Sequence, residues 1–167
     1  MTGYATELTS LHADLRELGA TVAIAESLTG GLLTAALTAT PGASLTVRGG
    51  LVVYATELKT ALAGVPAQLL QERGAVDPDV AVALARGARS RLDATYGLGI
   101  TGVAGPDPQD GKPVGTVFLA LAGPADETVA ERSFAGDRAA IRADAVRAML
   151  DILKRECAAA ITALRSL

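Results

Sequence analysis

The chain is poor in several residues on which protein chemistry commonly relies. It has one cysteine, Cys157, one histidine, His12, and no tryptophan, and aromatic residues make up 3% of its 167 positions. A single cysteine excludes an intrachain disulfide framework and a cysteine zinc cluster, and it points to a reducing cytoplasm. A single histidine in an N-terminal helical pattern leaves a Ser-His-Asp triad without its base, and His12 reads as a solvated helix residue. No H-E-x-x-H motif occurs and no metal or other cofactor is expected. The scarcity of aromatics leaves no base-stacking platform. A net charge of −3 and a pI near 5.1 argue against a surface built to neutralise phosphates, so no nucleic-acid partner is expected. No apolar run approaches the ~20 residues that span a bilayer, and the start of the chain, with Glu7 and no basic cluster, does not read as a signal peptide. No membrane partner is expected either.

Lysine is scarce too. Lys59, Lys112 and Lys154 are the only ones, the other basic residues being arginine. Coding bias is the plainer account; a need, at a particular lysine, for an amine able to lose its proton is the alternative.

Half of the chain is apolar, and its length suits one domain, residues 1–167, with a core of Ala, Val, Leu and Ile. Leu8, Leu11, Leu15 and Leu18 repeat at helical spacing before Gly19. Residues 21–26 read as a buried strand, about 30–38 as a helix, 50–54 as a second strand and 57–63 as a short helix, with further helical turns over 66–72. Asp77-Pro78-Asp79 is a strong helix start: a cap, a proline at the first position and an acid at the positive end of the dipole. Residues 96–101 are strand-like, 102–115 form a Gly/Pro/Asp loop, and 116–121 with 128–134 make an antiparallel hairpin. Asp137 caps a long final helix. Strands alternating with helices predict an α/β fold, a single three-layer α/β/α domain with a mixed sheet.

The most informative stretch is Ala25-Glu26-Ser27-Leu28-Thr29-Gly30-Gly31, a strand-to-helix turn. Such a turn sets a hydroxyl beside N–H groups that lack helical partners. It suits either an anionic ligand group or a nucleophile with an oxyanion hole. Ser27 or Thr29 acting only as a helix cap is the plainer reading. Without histidine, a nucleophilic serine needs another base, and a lysine serves if burial or nearby positive charge lowers its pKa. Lys59 is the candidate, just after the Tyr54 strand end, and Tyr54 is placed to hydrogen-bond either partner. A Tyr–Lys pair on a solvated edge is the alternative. The glycine loop around Thr101, Gly102 and Gly105 permits close backbone approach to a ligand, or is a long surface turn. Arg138 and Arg142, four apart at the start of the last helix, suit a phosphate, or form an exposed pair answering Asp137 and Asp144. Gly105 to Gly111-Lys112-Pro113 is not a P-loop, since proline stands where Ser or Thr must meet magnesium.

Taken in order, these segments resemble the C-terminal domain of the competence/damage-inducible CinA proteins, found alone as nicotinamide-nucleotide amidase. The matching pieces are Ala25-Glu26-Ser27 with Thr29-Gly30-Gly31, Tyr54 with Lys59, Gly74-Ala75-Val76, and Gly102 with Ala104-Gly105-Pro106. They continue through Lys112-Pro113-Val114-Gly115-Thr116-Val117 and Phe134 with Gly136-Asp137-Arg138. Leu28 stands where many members have cysteine, and Thr56 where asparagine is common. The resemblance implies hydrolysis of the carboxamide of nicotinamide mononucleotide to nicotinate mononucleotide and ammonia, without metal. It also implies the standalone form and a homo-oligomer. Its serine, lysine and tyrosine map onto Ser27, Lys59 and Tyr54, its loop threonine onto Thr101, and a late arginine onto Arg142. Thr29, Gly30, Gly31, Thr101, Gly102, Gly105, Arg138 and Arg142 are the expected substrate-binding residues. The alternative is a non-catalytic module that binds a nucleotide or a protein partner.

Overall fold

The computed structural model describes residues 5–166. In chain order the elements are α1 (Ala5–Glu17), β1 (Val22–Glu26), α2 (Leu32–Thr38), a 3₁₀ turn (Ala43–Leu45), β2 (Val47–Val52), α3 (Thr56–Ala63) and α4 (Ala67–Arg73). They are followed by α5 (Pro78–Arg91), β3 (Tyr96–Gly102), β4 (Thr116–Ala122), β5 (Glu127–Ser133) and α6 (Arg138–Leu164). The strands form one sheet in the order β2-β1-β3-β4-β5. β1 pairs parallel with β2 and β3, and the β3–β4 and β4–β5 pairs are antiparallel, so the sheet is mixed as expected. Among the described residues no helix is long and apolar enough to cross a membrane.

Strand periodicity divides the core into two layers. On β1, Val22 and Ile24 join α1, α2 and α6, while Ala23 and Ala25 face α5 and its neighbours. On β3, Tyr96, Leu98 and Ile100 point to the α6 side. Gly97 and Gly99 lie under α5, where an added Cβ would come within 1.9 Å of the Ala85 carbonyl oxygen and 2.2 Å of that of Ala81. The small residues that replace aromatics in this composition thus let α5 sit directly on the sheet. Asp77 caps α5 by accepting from Asp79 N–H, and Asp137 caps α6 by accepting from Ala140 N–H. Cys157 is a core residue of α6, its thiol pushed up to about 12 by burial.

His12 corrects an expectation. It is fully buried rather than solvated, its Nε2 2.9 Å from the Leu37 carbonyl and its Nδ1 2.6 Å from the Thr46 hydroxyl. It ties α1 to the end of α2 and to the 3₁₀ turn. That pocket is assembled from residues 25 and 34 positions away, which local helical spacing does not reveal. Burial holds its pKa below the ordinary 6.5. The unfolded chain therefore takes up a proton that the folded chain refuses. This contribution to stability is full above pH 6.5 and is lost as the pH falls toward the folded value. Urea unfolding at about pH 7.5 and about pH 5.5 is expected to show a drop in midpoint that a His12→Gln chain shares only in part.

The register decides where chemistry gathers. Glu26 stands opposite Ile100 of β3 and Val52 of β2, so the carboxyl ends of the three parallel strands are level. The residues that follow them emerge at one edge, where open α/β sheets form their sites.

Candidate active site

A cavity of about 300 Å³ opens at this edge. Ser27 and Leu28 line it from the turn after β1, and Tyr54, Ala55, Thr56 and Lys59 from the segment after β2. Thr101 to Gly105, Asp107 and Gln109 come from the loop after β3, Ala75 and Val76 from the approach to α5, and Arg138 from the start of α6.

Ser27 and Lys59, 32 residues apart in the chain, meet at its floor. Lys59 Nζ lies 3.2 Å from Ser27 Oγ, 2.9 Å from the Val53 carbonyl and 3.4 Å from the Tyr54 carbonyl. The lysine is 1% exposed. Burial lowers its pKa from the ordinary 10.5, against the opposing charges of Asp110 and Glu57. A neutral amine has two hydrogens and one lone pair. In that form it would give its hydrogens to the two carbonyls and keep the lone pair for the Ser27 hydroxyl. This arrangement, a hydroxyl and a buried amine at hydrogen-bond distance, is one that can serve as a nucleophile and its base.

Tyr54 contributes differently from its expected role. The residue is 58% exposed, and its hydroxyl accepts from Arg138 Nη2 at 2.7 Å; its backbone carbonyl accepts from Lys59. Arg138 also donates to the Gly105 carbonyl at 2.7 Å, so its guanidinium bridges Tyr54 and the glycine loop on the cavity wall. Thr101 lines the cavity but its hydroxyl is spent on the Ala75 carbonyl, at 2.6 Å. Gly102 and Gly105 lie on the wall as expected; a Cβ at Gly102 would be 2.5 Å from the Thr116 carbonyl oxygen.

Two other expectations are corrected. Helix α2 begins at Leu32, and neither Ser27 nor Thr29 caps it. Glu26, fully buried, does so: its carboxylate accepts from the N–H groups of Gly31, Leu33 and Thr34 and from the Thr34 hydroxyl. A carboxylate is favoured there by the unpaired N–H groups and the helix dipole. Thr29 is fully buried with its hydroxyl unpartnered, and Gly30 and Gly31 form the turn at φ +58° and +96°; none of the three lines the cavity. Arg142 is not on the wall either. Its Nε donates to the Leu28 carbonyl at 2.9 Å and its Nη2 to the Thr29 carbonyl at 3.0 Å, behind the turn rather than in the phosphate's expected place.

Sequence reasoning did not single out Ala75, Val76, Thr56, Asp107 and Gln109 as wall residues. The acidic and amide residues of the 102–115 loop were the available signal. Asp110 in that loop accepts from the Ala75 and Val76 N–H groups at 2.6 and 3.2 Å, joining the two segments.

The family model described as "CinA C-terminal domain" matches residues 5–157. A CinA-like protein of Frankia casuarinae is 52% identical over 141 residues, covering 84% of this chain and 33% of its own length. One from Geobacter sulfurreducens is 51% identical over 141 residues, with 84% and 34% covered. The chain thus spans about a third of the length of these curated relatives. Among solved structures, the competence/damage inducible protein CihA from Agrobacterium tumefaciens is 35% identical, with a TM-score of 0.88 over 93% of this chain and 96% of that one. A CinA superfamily protein from Escherichia coli is 34% identical, with a TM-score of 0.85 over 88% and 86%.

Proposed function

The chain belongs to the CinA C-terminal domain family, and from that premise we propose that it is an amidase that hydrolyses the carboxamide of nicotinamide mononucleotide to nicotinate mononucleotide and ammonia. The observation that carries this reading is the 3.2 Å contact between Ser27 Oγ and the buried Lys59 Nζ at the floor of the cavity. A solvated Tyr–Lys edge would not bury the amine.

In the proposed reaction, neutral Lys59 takes the Ser27 proton as Oγ attacks the amide carbon. The carbonyl oxygen becomes an oxyanion, which backbone N–H groups of the turn stabilise. Collapse of the intermediate breaks the C–N bond, and the Lys59 ammonium gives its proton to the departing nitrogen, releasing ammonia. The nicotinoyl ester on Ser27 is then attacked by water, whose proton passes to Lys59. The carboxylate leaves and Ser27 regains its hydrogen. The nucleotide's phosphate is assigned to Arg138, which is on the wall and exposed, in place of Arg142.

Ammonia release tests the reading, with nicotinamide mononucleotide, nicotinamide riboside and free nicotinamide as substrates. Rapid release from the mononucleotide is expected, and none from any of the three leaves the binding-module alternative. Arg138→Ala is expected to raise KM for the mononucleotide about tenfold, the worth of an exposed charge-assisted contact, and to leave the riboside nearly unchanged. Equal losses on both substrates would mean that Arg138 matters through its bridge between Tyr54 and Gly105.

A further inference from the structure

The loop between β3 and β4 ends in a tight hairpin. Gln109 and Lys112 exchange backbone hydrogen bonds at 3.1 and 2.8 Å, and Asp110 and Gly111 between them have φ of +51° and +71°. Asp-Gly with positive φ at both positions is the turn that two antiparallel strands favour. The returning leg is tied to β4, where the Lys112 ammonium lies 5.7 Å from the centroid of the Phe118 ring.

The hairpin carries the Asp110 carboxylate to the segment that leads into α5. Oδ2 accepts from Ala75 N–H at 2.6 Å and from Val76 N–H at 3.2 Å. The two segments are in close contact: a Cβ at Gly74 would be 2.6 Å from Asp110 Cγ. Ala75 and Val76 are buried, and among the described residues their N–H groups have no other acceptor. Loss of the carboxylate would strand two buried donors. The Ala75 carbonyl is meanwhile held by the Thr101 hydroxyl, at 2.6 Å. Ala75 is thus gripped at its N–H by the loop and at its carbonyl by β3. Ala75, Val76 and Thr101 line the cavity, and so do Asp107 and Gln109, just before Asp110.

We propose that Asp110 is a positioning residue, the latch by which the loop after β3 holds the Ala75–Val76 wall and its own Asp107–Gln109 wall around the substrate. Asp110 is not itself on the wall and touches no substrate in this scheme. Its charge also acts on the Lys59 amine, opposing the effect of burial together with Glu57 of the same helix. The other charged groups around the cavity are Asp107 on the loop, Asp77 at the start of α5, Arg138 at the start of α6, and Glu26, whose carboxylate is taken up by α2. The proposal rests on the amidase reading and adds to it what holds the walls.

The test compares Asp110→Ala and Asp110→Asn with wild type. Hydrogen exchange of the Ala75 and Val76 amides and titration of the Lys59 amine, both followed by NMR, require no turnover. Ammonia release from nicotinamide mononucleotide gives kcat and KM as functions of pH. Asp110→Ala is expected to speed exchange at both amides about tenfold or more, the scale of a lost charge-assisted hydrogen bond. Its KM should rise at least about fivefold, with kcat on the pH plateau changed by less than about threefold. Asp110→Asn keeps an acceptor oxygen and should recover most of that KM. In both variants the Lys59 titration and the acid limb of kcat/KM are expected to move to lower pH, because a carboxylate that favoured the ammonium is gone. Unchanged exchange and KM in folded Asp110→Ala overturn the proposal. So does a KM loss as large in Asp110→Asn with the Lys59 titration unmoved, the mark of a residue that serves only the fold of the loop. If the alanine variant does not fold, an unmoved Lys59 titration in Asp110→Asn is enough to overturn it. A wild-type chain that releases no ammonia overturns the amidase reading instead, while exchange and titration still decide the role of Asp110.

Discussion

Ser27→Ala is expected to lower amidase turnover by roughly 10⁴- to 10⁶-fold, the scale on which removal of a serine nucleophile acts in other hydrolases. The fold should survive. Among the described residues the one side-chain hydrogen bond of the Ser27 hydroxyl is with Lys59, and the backbone bonds that hold residue 27, to Ile100 and from Gly30, do not involve the side chain. Lys59 keeps its two carbonyl partners in the variant. Stability is therefore expected to change by no more than about 1 kcal/mol, as for substitutions that make no cavity and strand no charge. Product binding should also persist, since Arg138 and the glycine loop are untouched. Steady-state ammonia release, urea unfolding and calorimetric binding of nicotinate mononucleotide check the three parts separately. Wild-type turnover in a well-folded Ser27→Ala chain would mean that water attacks the amide directly, and the ester intermediate would have to be abandoned.

The sequence made some of this visible because the cause was local. The apolar run before Glu26, the Asp77-Pro78-Asp79 cap and the Gly123-Pro124 hairpin connection each act within a few residues, and β1, α5 and the β4–β5 pair appear where they were expected. The approach of Lys59 to Ser27 followed from a rule about strand ends rather than from spacing, and the level register of β1, β2 and β3 satisfies that rule. Where partners lie far apart in sequence and no rule applies, the reading failed. His12 meets Leu37 and Thr46 only after α1 docks. Arg138 and Arg142 share a helix face, but one turn of rise, about 5.4 Å, separates the cavity wall from the back of the turn. Tyr54 was read as the last residue of a strand over 50–54, but β2 runs from Val47 to Val52 and leaves Tyr54 beyond it, where it is exposed. Glu26 was read only as the end of a strand; its service to the N–H groups of α2 requires the chain to reverse between residues 27 and 31, which positive φ at Gly30 and Gly31 permits.

Lys59 carries the other large expectation. Lys59→Met and Lys59→Arg should each lose at least about 10³-fold in turnover, the first because no base remains and the second because a guanidinium stays protonated near neutral pH. The pH dependence separates this role from a structural one. In the proposed reaction Lys59 acts as the neutral amine, so kcat/KM of the wild type is expected to fall on the acid side, with a midpoint at the folded pKa, which burial sets below 10.5. The same shift acts on stability. Between the folded pKa and 10.5 the unfolded chain holds a proton that the folded chain lacks, so wild-type stability rises with pH across that window. Lys59→Met removes that rise. The variant should therefore gain on the wild type toward neutral pH and lose ground as the pH approaches 10.5, a crossing trend that a mere packing defect would not produce. Full turnover in folded Lys59→Arg, or an acid limb unchanged in a residually active Lys59→Met, would show that another group removes the Ser27 proton. The neighbours that could inherit that role are few. Tyr54 points its hydroxyl to Arg138, and Thr101 spends its own on Ala75, so a base other than Lys59 would have to come from Asp107 on the cavity wall, from water or from the substrate.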